Sequence, residues 1–119
     1  MKLTQCFAAL TLIAGAAASA PFSAYAAGDP TIGQQRVQAL GCPTCHGADG
    51  NGARPRVANV PRLAGQHADY LVRALKAYGN GGRKNPIMRG FAGALTPADR
   101  ENIAAYFASR TGLVTLHRR

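Results

Sequence analysis

Two cysteines and a histidine fall within five residues, Cys42-Pro43-Thr44-Cys45-His46, and no other stretch of the chain concentrates as much reactive chemistry. On one helical turn, thiols three residues apart point the same way. Both can add to the two vinyl groups on one edge of an iron porphyrin, and the next residue swings its imidazole under the ring centre toward the iron. This is the C-x-x-C-H pattern of covalent haem attachment. Three other uses of the pair compete with it. A thiol–disulfide motif expects a thioredoxin-like βαβ setting, and no stretch here alternates with period two for long enough to make a convincing strand. A structural zinc site wants four ligands, and Cys42, Cys45, His46 with a distant His67 or His117 lack a second paired cluster. An inert pair of neighbouring thiols does not suit an oxidising compartment. Haem attachment therefore leads.

The second iron ligand separates electron transfer from ligand chemistry. An open sixth position suits gas binding or peroxide chemistry, whereas two protein ligands hold the iron nearly unchanged through a redox cycle. Beyond the first 26 residues Met88 is the only methionine. A lone methionine is ordinarily core filler, but Met88 sits among Lys84-Asn85-Pro86-Ile87 and Arg89-Gly90, which read as loop formers and not as a helix face. His67 is the rival ligand, at the expected start of a helix beside Asp69. Thioether ligation gives a higher reduction potential than a second imidazole.

The N-terminus bears on the redox compartment. Lys2 precedes a run from Phe7 to Ala18 without charge, Pro21 breaks it, and Ala24-Tyr25-Ala26 offers small residues where a signal peptidase reads. Residues 1–26 are expected to be a cleaved signal peptide, with 27–119 as a single domain in the periplasm. Twelve apolar residues are too few to span a bilayer, which takes roughly 20. Removal of Cys6 with this segment leaves only the pair at 42 and 45. It also leaves 13 basic residues against 5 acidic ones, a balance that fits an acidic protein partner better than nucleic acid for an exported chain.

These residues need a scaffold. Asp29, Pro30 and Gly41 bracket a short helix over 31–40, and a second is expected over about 66–78. In the latter Tyr70, Leu71, Ala74, Leu75 and Tyr78 share one face, opposite Arg73 and Lys76. Thr96 and Pro97 open a third, which buries Ile103, Ala104 and Phe107 and stops near Gly112. The class is all-α, and the segments between helices are long for so small a domain unless they enclose something. A flat apolar cofactor would fill the shell that three short helices cannot fill by packing on one another.

Four blocks in order make the chain resemble the class I c-type cytochromes, in particular small bacterial single-haem members and one half of the two-haem periplasmic ones. They are Cys42–Gly47 with Asp49-Gly50-Asn51-Gly52; Pro61–Gln66 with Tyr70-Leu71; Gly82–Met88; and Leu95-Thr96 through Ala105-Tyr106-Phe107. The resemblance implies a cytochrome c fold of three to five short helices and long loops wrapped around one haem c. It implies thioethers at Cys42 and Cys45, His46 and Met88 as axial ligands of the iron, and a Pro61 carbonyl that accepts the other imidazole N–H of His46. It further implies that the first and last helices cross, with Gly33 making room for Tyr106 or Phe107. Arg83 is the candidate for a haem propionate contact, alongside Arg62 and Lys84. The tail at 113–119 departs from the family pattern.

The function expected is single-electron transfer between redox proteins, with no catalytic residue, by a monomer or weak complex that docks on acidic surfaces. A permanent cytochrome subunit of a dehydrogenase or oxidase would carry the same haem-site residues. A haem sensor or peroxidase would need Met88 away from the iron.

Overall fold

A computed structural model describes residues 28–53 and 57–113. The expected signal peptide and the end of the basic tail lie outside them. The described chain is all-α, with five helices: α1 (Pro30–Ala39), α2 (Pro43–His46), α3 (Ala68–Gly79), α4 (Pro86–Gly93) and α5 (Pro97–Ala108).

Three of the five start in the same way. Asp29, Asn85 and Thr96 each cap a helix with a side-chain oxygen, and Pro30, Pro86 and Pro97 follow at the first helical position, where a missing N–H costs nothing. At α5 the cap is reciprocal. The Asp99 N–H donates to Thr96 Oγ1 at 3.1 Å and the Thr96 N–H donates to Asp99 Oδ2 at 3.0 Å.

Helix α4 corrects the loop reading of the Met88 segment. The Asn85 side chain accepts the Met88 N–H at 3.0 Å, so Met88 lies in the first turn of a helix. The signal was present in Asn85-Pro86, but Gly90, unfavourable in a helix interior, and Gly93 at the helix end hid it.

The frame is the crossing of α1 and α5. The Asp29 N–H donates to Asn102 Oδ1 at 2.8 Å across 73 residues of chain. At the crossing Gly33 lies directly against α5: a Cβ there would overlap the Asn102 carbonyl oxygen and come within 2.9 Å of Tyr106 Cβ. Any other residue at position 33 would force the helices apart. Around this contact Val37, Leu71, Leu95, Ile103, Ala104, Tyr106 and Phe107 form one buried cluster. The rings of Tyr106 and Phe107 meet edge-on at 5.1 Å, and the Tyr106 hydroxyl donates to the Ala48 carbonyl at 3.1 Å, tying α5 to the loop after α2.

Arg36 of α1 and Asp99 of α5 brace the same pair of helices. Arg36 Nη2 donates to Asp99 Oδ2 at 3.1 Å, and Nε lies 2.8 Å from Oδ1 at an angle too poor for a second hydrogen bond. Burial alone would raise the Asp99 carboxyl, but the Arg36 guanidinium and the two Thr96 contacts outweigh it and hold the group below the ordinary carboxylate value. A lowered folded-state pKa adds stability that is complete above the unfolded-state value, about 3.9 for aspartate, and is lost as pH falls through the folded value. The Tm advantage of the native protein over Asp99→Asn is therefore expected to be constant from neutrality to about pH 5 and to shrink below about pH 4. Thermal melts followed by circular dichroism check this, and an advantage that grows on acidification would contradict it.

Candidate functional site

The reactive segment is built as one tight turn on the end of α1. The Cys42 N–H donates to the Val37 carbonyl at 3.1 Å, and the Cys45 and His46 N–H groups both return to the Cys42 carbonyl, at 3.3 and 3.0 Å. Pro43 occupies the first position of α2. The turn thus places the two thiols and the imidazole three and four residues apart on one helical surface. Gly47 ends it at φ +83°, and a Cβ there would overlap the Gly52 carbonyl oxygen. The Gly52 N–H donates to the His46 carbonyl at 2.7 Å, closing the loop back over the histidine.

His46 is the buried polar side chain of the described residues, 8% exposed. Its Nδ1–H donates to the Pro61 carbonyl at 2.9 Å, since a carbonyl can only accept. That bond fixes the ring orientation and holds the Nδ1 proton of the neutral tautomer, so that Nε2 is the nitrogen offered to a metal. Burial pushes the Cys42 thiol up from its ordinary value; a backbone hydrogen bond works the other way, and the neighbouring Cys45 adds to the rise. Cys42 and Cys45 are both free and half-buried.

These side chains open onto one cavity of about 440 Å³, a size proper to a bound organic ligand. Cys42, Cys45, His46 and Met88 all line it. So do Tyr70, Leu71, Ala74, Leu75 and Tyr78, the apolar face of α3. The stripe legible in the sequence thus serves mainly as a wall. Leu40, Leu63, Leu95, Ile103 and Phe107 complete the apolar lining from the other elements.

Arg83 lies at the edge of this cavity. Its guanidinium stacks over the Tyr78 ring at 4.7 Å and Nη1 donates to the Tyr70 hydroxyl at 3.4 Å, while its backbone N–H donates to the Ala77 carbonyl at 2.9 Å. Arg62 also lines the cavity, and Lys84 does not. His67 is exposed at the start of α3 and is not among the lining residues. Among the described residues, no three His, Cys, Asp or Glu side chains converge on a metal-sized site, which leaves the zinc reading without a fourth ligand there.

Haem c fits what is present. Two thiols on one turn, a buried imidazole bonded through Nδ1, and a thioether sulfur share one mostly apolar enclosure. Sequence reasoning did not find the Tyr70–Arg83–Tyr78 contact. Nothing local signals it, because the ring and the guanidinium meet only after the turn at 79–82 folds back.

Comparison with known proteins places the chain among cytochromes. A family model for cytochrome c matches residues 31–111. Cytochrome c4 of Stutzerimonas stutzeri is 42% identical over 100 residues, covering 76% of this chain and 45% of that protein. Cytochrome c-554(548) of Halomonas halodenitrificans is 39% identical over 87 residues, covering 71% of this chain and 99% of that protein. The crystal structure of reduced recombinant cytochrome c4 from Pseudomonas stutzeri superposes with a TM-score of 0.64 at 40% identity, over 74% of this chain and 48% of that one. The chain thus spans about half the length of the cytochromes c4 it matches and nearly all of cytochrome c-554(548).

Proposed function

Because the chain belongs to the cytochrome c family and carries that family's covalent haem c, we propose that it is a periplasmic shuttle for single electrons. It holds one haem through thioethers at Cys42 and Cys45, with His46 and Met88 as the axial ligands of the iron. The observation that carries this reading is the meeting of both thiols, the buried imidazole and the thioether in the walls of a single apolar cavity.

When bound, the haem supplies an iron that gains and loses one electron with no substrate bond made or broken. The chain's own residues do the rest. The Pro61 carbonyl orients His46 and keeps its proton on Nδ1. The leucines and Phe107 exclude water and hold the local dielectric low, which together with ligand type sets the potential. The frame of α1 and α5 keeps the ligand-bearing segments in place, so little has to reorganise with each electron. Arg83, pinned at the rim by two tyrosines, is positioned to meet a haem propionate.

Residues 1–26 are read as the export signal and 27–119 as one haem domain that works as a monomer or in weak complexes. Among the described residues no helix is long and apolar enough to cross a membrane. The partners proposed are redox proteins with acidic docking surfaces, and no residue is assigned a catalytic role.

A pyridine haemochrome spectrum combined with intact mass, on protein matured in a host that attaches haem, tests the reading. The expected result is one haem per chain joined through two thioethers, with a single one-electron wave in a redox titration. Material weighing only as much as its bare polypeptide would reject it. Purification at fixed stoichiometry with a catalytic chain would assign the protein to a permanent complex instead of a shuttle.

A further inference from the structure

We infer that Asn51 is a positioning residue for His46: it locks the loop after the attachment turn to the segment after α5, and through that lock it keeps the Pro61 carbonyl on the imidazole. The inference rests on the electron-carrier reading and deepens it. It gives a task to the Asp49-Gly50-Asn51-Gly52 block, which supplies neither a thioether nor an iron ligand in that reading.

The bonds of Asn51 reach in two directions. Its backbone N–H donates to Asp49 Oδ1 at 2.9 Å and its Nδ2 to Asp49 Oδ2 at 3.0 Å, which makes the loop stiff. The same Nδ2 donates at 2.9 Å to the Thr111 carbonyl, 60 residues further along the chain. Asn51 does not line the large cavity, so any effect on the site passes through its neighbours.

Two routes lead from this loop to His46. The Gly52 N–H, on the residue after Asn51, donates to the His46 carbonyl at 2.7 Å. The Gly50 carbonyl, on the residue before, accepts the N–H groups of Leu63 and Ala64 at 2.8 and 3.1 Å. Leu63 stands two residues after Pro61, whose carbonyl accepts the imidazole Nδ1–H at 2.9 Å. One loop therefore holds the histidine by its backbone and, through the 61–64 segment, by its ring.

The segment after α5 closes the arrangement. Thr111 receives Asn51, and the Leu113 N–H donates to the Ala64 carbonyl at 2.8 Å, so three consecutive residues tie both pieces of chain together. The fit is close. A Cβ at Gly112 would overlap the Ala64 carbonyl oxygen, and one at Gly65 would come within 2.7 Å of the Leu113 oxygen. The Tyr106 hydroxyl on the Ala48 carbonyl is a second tie between α5 and the same loop.

The consequence is electronic as well as structural. A carbonyl held on Nδ1–H makes the imidazole a more basic ligand through Nε2, and a more basic ligand favours ferric iron. Loosening the loop weakens that bond, so the reduction potential rises. A general loss of stability would lower the melting temperature without altering the bond in the folded chain.

The test compares haem-loaded native protein with Asn51→Ala and Tyr106→Phe. Proton NMR of the reduced form reads solvent exchange of the His46 Nδ1 proton, and a redox titration reads the potential. Asp99→Asn, which weakens the brace between α1 and α5 away from the loop, is the reference for lost stability alone. In Asn51→Ala the proton is expected to exchange about tenfold faster or more. At a fixed applied potential the iron is expected to shift about twofold or more toward the ferrous state. Tyr106→Phe is expected to move both readings the same way by less, and it carries the test alone if Asn51→Ala fails to load. Equal shifts in Asp99→Asn would overturn the inference. Haem loading is measured first, by mass: an unloaded native chain rejects the electron-carrier reading and this inference with it, whereas loaded variants with native exchange and potential reject the positioning role alone.

Discussion

A chain in which Cys42 and Cys45 are both replaced by serine is expected to leave a haem-attaching host at its bare polypeptide mass and with most of its helical circular dichroism gone. The loss of mass follows from the chemistry, since serine hydroxyls do not replace thiols as partners for the porphyrin vinyl groups. The loss of fold follows from the packing. Nine hydrophobic side chains are buried among the described residues, and three of those are alanines. Helix α3 packs on α4 and α5, but its apolar face also lines the cavity, so part of the surface that stabilises it is surface shared with the cofactor. Domains of this size seldom hold together on a small core alone. The single variants are expected to be intermediate, each keeping one thioether and the His46 contact. A double variant with native helicity would show that the fold stands without the covalent bond.

Met88→Ala is expected to keep the haem and lose the electron carrier's ligand set. The long-wavelength absorption band of methionine-bound ferric iron disappears in the variant. The midpoint potential falls by something on the order of 0.1 V, a fraction of the roughly 0.8 V that axial ligands span. The sign follows from thioether sulfur favouring the ferrous state. Stability is expected to change far less than in the cysteine variant, because Met88 is half-exposed and lies in a first turn capped by Asn85. His67→Ala serves as the reference and is expected to leave band and potential as they were, since His67 stands outside the cavity lining. A band that survives Met88→Ala and is lost with His67→Ala would reverse the assignment. A native protein without the band, open to small ligands, would point to sensing or peroxide chemistry.

How far the sequence could be read depended on the range of the interaction. Helix starts are local: Asp29-Pro30 and Thr96-Pro97 announce α1 and α5 through a capping oxygen and a residue that needs no donor. Asn85-Pro86 announces α4 in the same terms, but the glycines that follow weaken the helix propensity and resemble loop composition. The α3 stripe is local too, and it shows that a face is covered without showing by what. Tyr70 through Tyr78 would look the same against a helix or against a porphyrin. The contact between His46 and Pro61 spans 15 residues and the one between Tyr106 and Ala48 spans 58. No period or spacing encodes them. The first was legible only through the family resemblance and the second was not legible at all. Arg36 with Asp99, 63 residues apart, belongs with the latter.

The Gly33 crossing joins parts of the chain that are far apart in sequence. The two helices it joins are contributed by opposite ends of the described chain, so the contact is among the last that a chain emerging N-terminus first can make. Helix α1 packs on α5 in the folded chain, so before α5 is in place the attachment turn that follows α1 lacks that support. A chain that has not yet closed this crossing is therefore expected to leave the Cys42–His46 segment more reachable than the closed fold does, in which His46 is buried.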